Sequence, residues 1–428
     1  MIGAGPARRL RRRTTIAGAA VLAVAMLAAC SSSSKTASPS TDATSTTVSS
    51  GTTLPTLPAP TGTPLKIAYM LDASGPQGPG QGDVATKVAK AWVAYANSHG
   101  GVAGHPVELT VKDTAGDPAA GQSDAAALVA DKSTIAVMLT DASGESSYAK
   151  TLSDGGLPVV GGLGYYPTVW GALPNVFAIA TTFPAVVNMQ AAELAQVGGK
   201  KAGAAYCAEV DSCVAAGALY GAAVKKLNLT YTGGVKVSVS APDFTAQCLQ
   251  FINSNTDVIQ FSASASVGAR MWQDCKQQGY TGWFGASAGT VTPALYADAP
   301  EIKLTGTLDA FPWWTNNPEV KQFRDVMAAE GVSDKDFGAP AATATYASLE
   351  LFKKALEGAK ATLPASPTRE NVIAAYGAVK NENLGGLLPQ PLSFTAGKPS
   401  PLVNCFWLFK YENSKFSGGE TPSCDTPS

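Results

Sequence analysis

The chain has two histidines in 428 residues, His99 and His105, and both sit in one stretch, SHGGVAGHP. Imidazole is the usual acid–base group near neutral pH. The flanking glycines mark these two as exposed residues of a helix-to-strand turn, a poor place to activate a nucleophile. No Walker-type phosphate loop and no H-E-x-x-H pair occurs. Paired carboxylates are the other route to acid–base chemistry. Asp113 and Asp117, in KDTAGDP, are the obvious pair. An Asp directly before a proline, however, reads as turn and helix N-cap chemistry. Catalysis is therefore not expected, and a hydrolase built on paired carboxylates is the weaker alternative.

Seven cysteines are present. Cys30 ends an apolar run near the N-terminus, whereas Cys207, Cys213, Cys248, Cys275, Cys405 and Cys424 lie in the body of the chain. An even number in an oxidising compartment suggests disulfides. Closeness in sequence favours Cys207–Cys213, Cys248–Cys275 and Cys405–Cys424. A metal site is disfavoured by the lack of any C-x-x-C spacing and by the shortage of His, and no cofactor is expected.

Binding chemistry is easier to place. DASGPQGPGQG carries Ser74 and Gln77 among glycines. TDASGESS places Ser143 at an expected helix N-terminus, where free amides and the helix dipole stabilise an anion such as a carboxylate. GGLGYYP offers exposed backbone at Leu163 and Gly164 and an aromatic wall at Tyr165 and Tyr166. Further along, AEVDSC contains Glu209 and Asp211 beside the expected Cys207–Cys213 bridge, and FPWW adds Trp313 and Trp314.

These loops follow short apolar runs. LKIAYML (65–71), HPVELTVKDT, IAVMLTD and LPVVGGL read as strands, separated by helices such as DVATKVAKAWVAYANSHGG, ended by the Gly pair at 100 and 101, and PAAGQSDAAALVADK. A second series begins after residue 181, with strands KKAGAAYCAEV, GVKVSVS, DVIQFSA and GWFGAS. Helices are expected at 317–332, 340–358 and 368–379, and a strand pair in CFWLFKYENSKFS. Such alternation predicts an α/β fold of two doubly wound parallel-sheet lobes with right-handed crossovers. The composition, 45% hydrophobic and 15% charged with net charge −1, supports large cores and lacks the basic field that nucleic acid requires.

The N-terminus reads as an export signal. RRLRRR at 8–13 precedes an apolar run from about Ile16 to Ala29, too short to span a bilayer comfortably. Leu27-Ala28-Ala29-Cys30 resembles the bacterial lipobox, which implies lipid attachment to the Cys30 sulfur and cleavage just before it. The twin arginines leave a Tat-type export route as the lesser option. Residues 31–63 are rich in Ser, Thr and Pro and read as a flexible tether.

Four segments in order then resemble the type I periplasmic solute-binding family, nearest to branched-chain amino acid (Leu/Ile/Val) binding proteins. They are IAYMLDASGP (67–76), GGVAGHPVEL (100–109), KDTAGDP (112–118), and the late TYASL (345–349) with PLSF (391–394). The resemblance implies a three-crossover hinge and lobes that are discontinuous in sequence: 64–180 with 311–385, and 181–310 with 386–428. It also implies a small-molecule ligand in the interlobe cleft and a monomer that serves the membrane permease of an ABC transporter from the extracytoplasmic face. Ser143 matches the serine that binds a ligand carboxylate in that family, and Leu163–Tyr165 the partnering backbone. GASAGTV lacks the acid that amino-acid binders usually carry there, so a neutral or acidic ligand is expected to fit equally well. A ligand sensor without transport is the nearest alternative.

Overall fold

The computed structural model describes residues 57–75, 80–141, 144–162, 166–180, 183–209, 211–286 and 289–424. Cys30, Gln77, Ser143, Leu163, Gly164 and Tyr165, with the expected export signal and most of the tether, lie outside the described residues.

Strands β1 (Leu65–Leu71), β2 (Val107–Asp113), β3 (Thr134–Thr140) and β4 (Val159–Gly162) form a parallel sheet in the order β2-β1-β3-β4. The central β3 is buried along its whole length, and β1 at every residue but Lys66. That is the pattern of strands covered by helices on both faces. Helices α1 (Gly82–Ser98), α2 (Pro118–Ala130) and α3 (Glu145–Asp154) supply the crossovers, and the short α4 (Pro167–Trp170) follows β4.

The second sheet repeats this order. Strands β5 (Lys201–Cys207), β6 (Thr230–Val237), β7 (Val258–Ser262), β8 (Trp283–Ala286) and β9 (Leu304–Leu308) run parallel as β6-β5-β7-β8-β9. Helices α5 (Phe183–Gln196), α6 (Asp211–Lys226), α7 (Thr245–Asn253), α8 (Ala265–Gln277) and α9 (Pro293–Asp298) accompany them. The sheet is not wholly parallel, because β10 (Cys405–Glu412) pairs antiparallel with β9, and β11 (Lys415–Gly418) and β12 (Ser423–Cys424) pair antiparallel with β10.

Between β9 and β10 the chain returns to the first lobe. α10 (Pro318–Ala329) and α11 (Asp334–Phe337) pack on α1, α12 (Pro340–Gly358) on α1 and β4, and α13 (Arg369–Ala378) on β3. The small buried residues Ala341, Ala342, Ala344 and Ala347 let α12 approach closely. Arg369 is 5% exposed, yet its guanidinium donates to the carbonyls of Thr134, Val129, Gly155, Leu128 and Asp131. One side chain thus satisfies acceptors at the ends of α2 and α3 and the start of β3.

Two sequence expectations change. β6 begins at Thr230, four residues before the expected GVKVSVS, because the Gly233–Gly234 pair is not a turn. Gly233 has φ +116° and marks a register shift against β5 within the strand, which is how a bulge uses glycine. His105 is not an exposed loop residue but 7% exposed, its Nδ1 donating to the Thr63 carbonyl at 2.8 Å. His99 stacks on Tyr95 with ring centroids 3.9 Å apart.

Disulfides join Cys207 to Cys213, Cys248 to Cys275 and Cys405 to Cys424. All three staple the second lobe, between β5 and α6, α7 and α8, and β10 and β12. No helix among the described residues is long and apolar enough to cross a membrane.

Candidate functional site

Both sheets change direction in strand order beside their first strand, and ligands in such folds gather at the carboxyl ends of strands flanking that point. In the first lobe these are the ends of β1 and β3. Asp113 Oδ1 accepts from the amides of Ala73, Ser74 and Ala115 at 2.9, 3.3 and 2.9 Å. Desolvation is the largest influence on this carboxyl and pulls its pKa up. Hydrogen bonds from the Ser74 hydroxyl and those three amides together outweigh it and hold the group below its ordinary value. Ser74, exposed at the loop, therefore already has a partner in Asp113. Asp117 caps α2, accepting from the amides of Ala119 and Ala120. The carboxylate pair expected as a possible acid and base thus organises turns.

Two acids that sequence reasoning passed over hold the loops on either side of Ser143. Asp141, fully buried, accepts from Thr114 Oγ1 (2.7 Å), Tyr148 Oη (2.9 Å) and the Gly144 amide (2.8 Å). Glu145, also fully buried, accepts from Trp170 Nε1 (2.8 Å) and the Tyr166 amide (3.2 Å). The loop after β3 is thereby tied to the loops after β2 and β4. The only sequence signal was their position bracketing Ser143, since their partners are distant in sequence.

At the end of β4 the backbone bends at Gly161 (φ +102°) and Gly162 (φ +131°). A Cβ on Gly162 would stand 1.6 Å from the Leu139 carbonyl oxygen, so only glycine fits where the chain turns toward Leu163–Tyr165.

In the second lobe Glu209 is exposed, and its Oε1 accepts from the Val239 amide at 3.0 Å. A hydrogen bond from the Ser238 hydroxyl is the main cause of its lowered pKa. Arg270 donates to the carbonyls of Ala241 and Val239 and lies 5.2 Å from the centroid of the Phe244 ring. Glu209 and Arg270 therefore fasten the loops after β5 and β6. Trp313 and Trp314 do not stand free as a cleft wall. Trp314 stacks on Phe416 at 4.4 Å and donates from Nε1 to the Gly418 carbonyl, and Trp313 meets Phe416 edge-on. FPWW packs the crossover onto the tail strands.

The lobes meet where the loop after β1 reaches the loop after β8. Gln81, 6% exposed, donates from Nε2 to the Val291 carbonyl at 3.0 Å, and Gly80 lies against Thr292. A separate depression of about 470 Å³, bounded by Gly198, Asn255, Asp257 and Trp283, lies at the amino-terminal ends of β5, β7 and β8, the opposite edge of that sheet.

One motif escaped the sequence reading. Residues 285–289 read Gly-Ala-Ser-Ala-Gly, a formal match to the G-x-S-x-G nucleophile pattern. Ser287 lies outside the described residues. The pattern needs a base, and both histidines are committed on the other lobe, His105 to Thr63 and His99 to Tyr95.

The sequence profile described as "Periplasmic binding protein" matches residues 64–419. The chain belongs to that family. Its two lobes have the type I arrangement of the fold. Among solved structures, a leucine-binding protein from Thermotoga maritima superposes with a TM-score of 0.67 at 20% identity, over 84% of this chain and 98% of that one. A fatty acid ABC transporter substrate-binding protein from Thermomonospora curvata gives 0.70 at 19%, over 86% and 95%. A solute-binding protein of an ABC transporter from R. palustris, in complex with 4-hydroxybenzoate, gives 0.68 at 18%, over 85% and 98%. At these identities the likeness is one of fold. No curated protein matches the chain by sequence.

Proposed function

We propose that this periplasmic binding protein captures a small amino-acid-like solute, or another small carboxylate or amide, between its lobes by hinge closure, and delivers it to the membrane permease of an ABC importer. It acts as a monomer on the extracytoplasmic face, without a cofactor and without chemistry of its own. Cys30 carries the lipid that inserts in the bilayer, and residues 31–63 form the tether. The observation that carries this reading is the family match across both lobes, together with the buried Gln81–Val291 hydrogen bond that joins their loops at the strand ends. The ligands named for the similar structures, leucine, a fatty acid and 4-hydroxybenzoate, all carry a carboxyl group. Here the carboxylate is received by the Ser143 hydroxyl and neighbouring amides at the start of α3, with the backbone of Leu163 and Gly164 opposite. Ser74 and Gln77 line one side, Tyr165 supplies a wall, and Glu209 approaches from the second lobe.

A thermal-shift screen of amino acids, amides, aliphatic carboxylates and benzoates, with product analysis, tests the reading. Stabilisation without turnover supports capture, whereas product formation favours the hydrolase alternative. For any carboxylate that binds, Ser143→Ala should weaken affinity by about 1–3 kcal/mol; unchanged affinity removes Ser143 from the site. Cys30→Ser should release the protein from membranes, measured by fractionation, and continued membrane retention would rule out the anchor. A binder whose loss leaves uptake of its ligand intact would instead be a sensor.

A further inference from the structure

The outer strand of a sheet leaves backbone donors and acceptors on its free side, where another chain can pair with them. Most outer strands of this protein are shielded or short. β4 is closed at Val159, which donates to the Asn175 carbonyl and accepts from the Phe177 amide. β6 is bent by the bulge at Gly233, and β11 and β12 have four and two residues. β2 differs. It pairs with β1 over seven residues without a register shift, and among the described residues no strand lies on its other side.

The bonds at its ends show which residues face outward. The Pro106 carbonyl and the Thr114 amide bond to β1. Asn97 on α1 donates to the Val107 carbonyl at 3.0 Å and accepts from the Val107 amide at 2.8 Å, so Val107 points away from β1. By alternation Leu109 and Val111 point the same way. Asn97 covers the free side at Val107 only. The outward amides and carbonyls of Leu109 and Val111 have no partner among the described residues. Glu108 and Thr110 are exposed, whereas Leu109, Val111 and Lys112 are half-buried.

This segment is complementary to itself. Laid antiparallel on a second copy about a dyad through Thr110, it sets Leu109 opposite Val111, and each such pair exchanges two backbone hydrogen bonds. Thr110 meets its own counterpart, and Glu108 meets Lys112 at both ends. The apolar pairs fall on one face of the sheet and the ion pairs on the other. Centring the dyad on Leu109 or Val111 loses both ion pairs, and centring it on Glu108 or Lys112 sets like charges opposite each other. Glu108 joins no ion pair among the described residues, and Lys112 would bridge it to Asp124 on α2, which Lys112 already meets at 3.0 Å.

We infer that β2 is a self-association surface: two copies of this chain join edge to edge through residues 108–112, so that one sheet runs through both first lobes. The contact is isologous and closes on itself. It lies along the flank of the sheet, apart from the strand ends, so each copy still captures its solute alone. Antiparallel pairing points the binding loops of the two copies in opposite directions, and a partner on one side meets one copy of the pair. The inference goes beyond the solute-binding reading and does not depend on it.

Cysteine cross-linking of the full-length protein tests it. In the paired register the two Thr110 Cα atoms stand about 4.5 Å apart, within reach of a disulfide. Under mild oxidation Thr110→Cys should form a linked dimer about tenfold or more faster than Ala222→Cys, an exposed position on α6, with the parent protein as the baseline for its own cysteines. Equal rates overturn the inference. Charge reversal decides independently. Glu108→Lys or Lys112→Glu, each combined with T110C, should slow the linkage about tenfold, because each sets like charges opposite at both ends of the pair. Mixing the two variants should restore the rate and yield the mixed dimer, identified by mass, since the reversed charges then meet their opposites. A mixture that links no faster than either variant alone overturns the inference. Neither result bears on solute capture.

Discussion

Asp141 has no exposed surface and still keeps donors on both carboxyl oxygens. Its charge is balanced by hydroxyls and an amide, so the group acts as a knot between the loops after β2 and β3. Asp141→Asn should cost about 1–3 kcal/mol in urea unfolding, because the new NH2 group faces a donor wherever it points. Retained stability would show that a carbonyl oxygen alone suffices. Asp309 gives the opposite pH signature to a paired carboxylate. Its folded pKa of about 7 lies above the ordinary Asp value of 3.8, so folding takes up a proton. The parent protein should therefore lose stability relative to D309N as pH rises from about 4 through 7, and the two should converge below that range. Glu193 is buried and also raised, chiefly by desolvation, but it is common to both proteins and cancels in the difference. A flat difference in melting temperature across that range would contradict a shielded Asp309. Ser143 and Glu209 were visible in the sequence as polar residues after apolar runs. Asp141 and Glu145 were not recognised, because what makes them special is burial against Thr114, Tyr148 and Trp170, contacts that no local pattern records.

Among the elements, those most readily read from sequence have both faces covered: β1 and β3 are continuous apolar runs, and α12 is a long stretch of small and apolar residues. Edge elements were harder. β6 buries only Val237 fully, so its polar sequence and internal glycines look like a turn until β5 pairs with it. The short helices α4, α9 and α11 went unread for a related reason: with four to six residues each, they carry too little periodicity to register. Two substitutions probe how elements hold one another. Arg369→Met should destabilise the protein by about 3–5 kcal/mol, since it strips donors from carbonyls at the ends of α2, α3 and β3 while preserving bulk. A loss under about 1 kcal/mol in chemical denaturation would mean that water replaces the guanidinium without penalty. Gly162→Ala should prevent β4 from closing on β3, with melting or expression as the readout, because both the positive φ and the Leu139 carbonyl exclude a Cβ.

Over the whole molecule, no periodicity reveals that the chain visits the first sheet, leaves for the second, returns as α10–α13 and leaves again for β10. The resemblance to periplasmic binding proteins supplied the expectation of lobes that are discontinuous in sequence. The Gln81–Val291 contact is a hydrogen bond between the loops of the two lobes. Gln81→Ala should shift the ligand-free protein toward an open form by about 1 kcal/mol, roughly fivefold in population. Small-angle scattering would register this as a larger radius of gyration, and an unchanged radius would show that the contact does not latch the lobes.

The entry of the chain has a mechanical meaning. Gly62 donates to the Gly104 carbonyl, Leu65 to that of Pro106, and His105 clasps Thr63, all at the amino edge of the first sheet and away from its binding loops. A pull arriving through the N-terminus is borne in shear by this clasp and by the central strand β1. The crossovers lie outside that load path, so tension on the proposed tether would leave the proposed closure of the lobes unbiased.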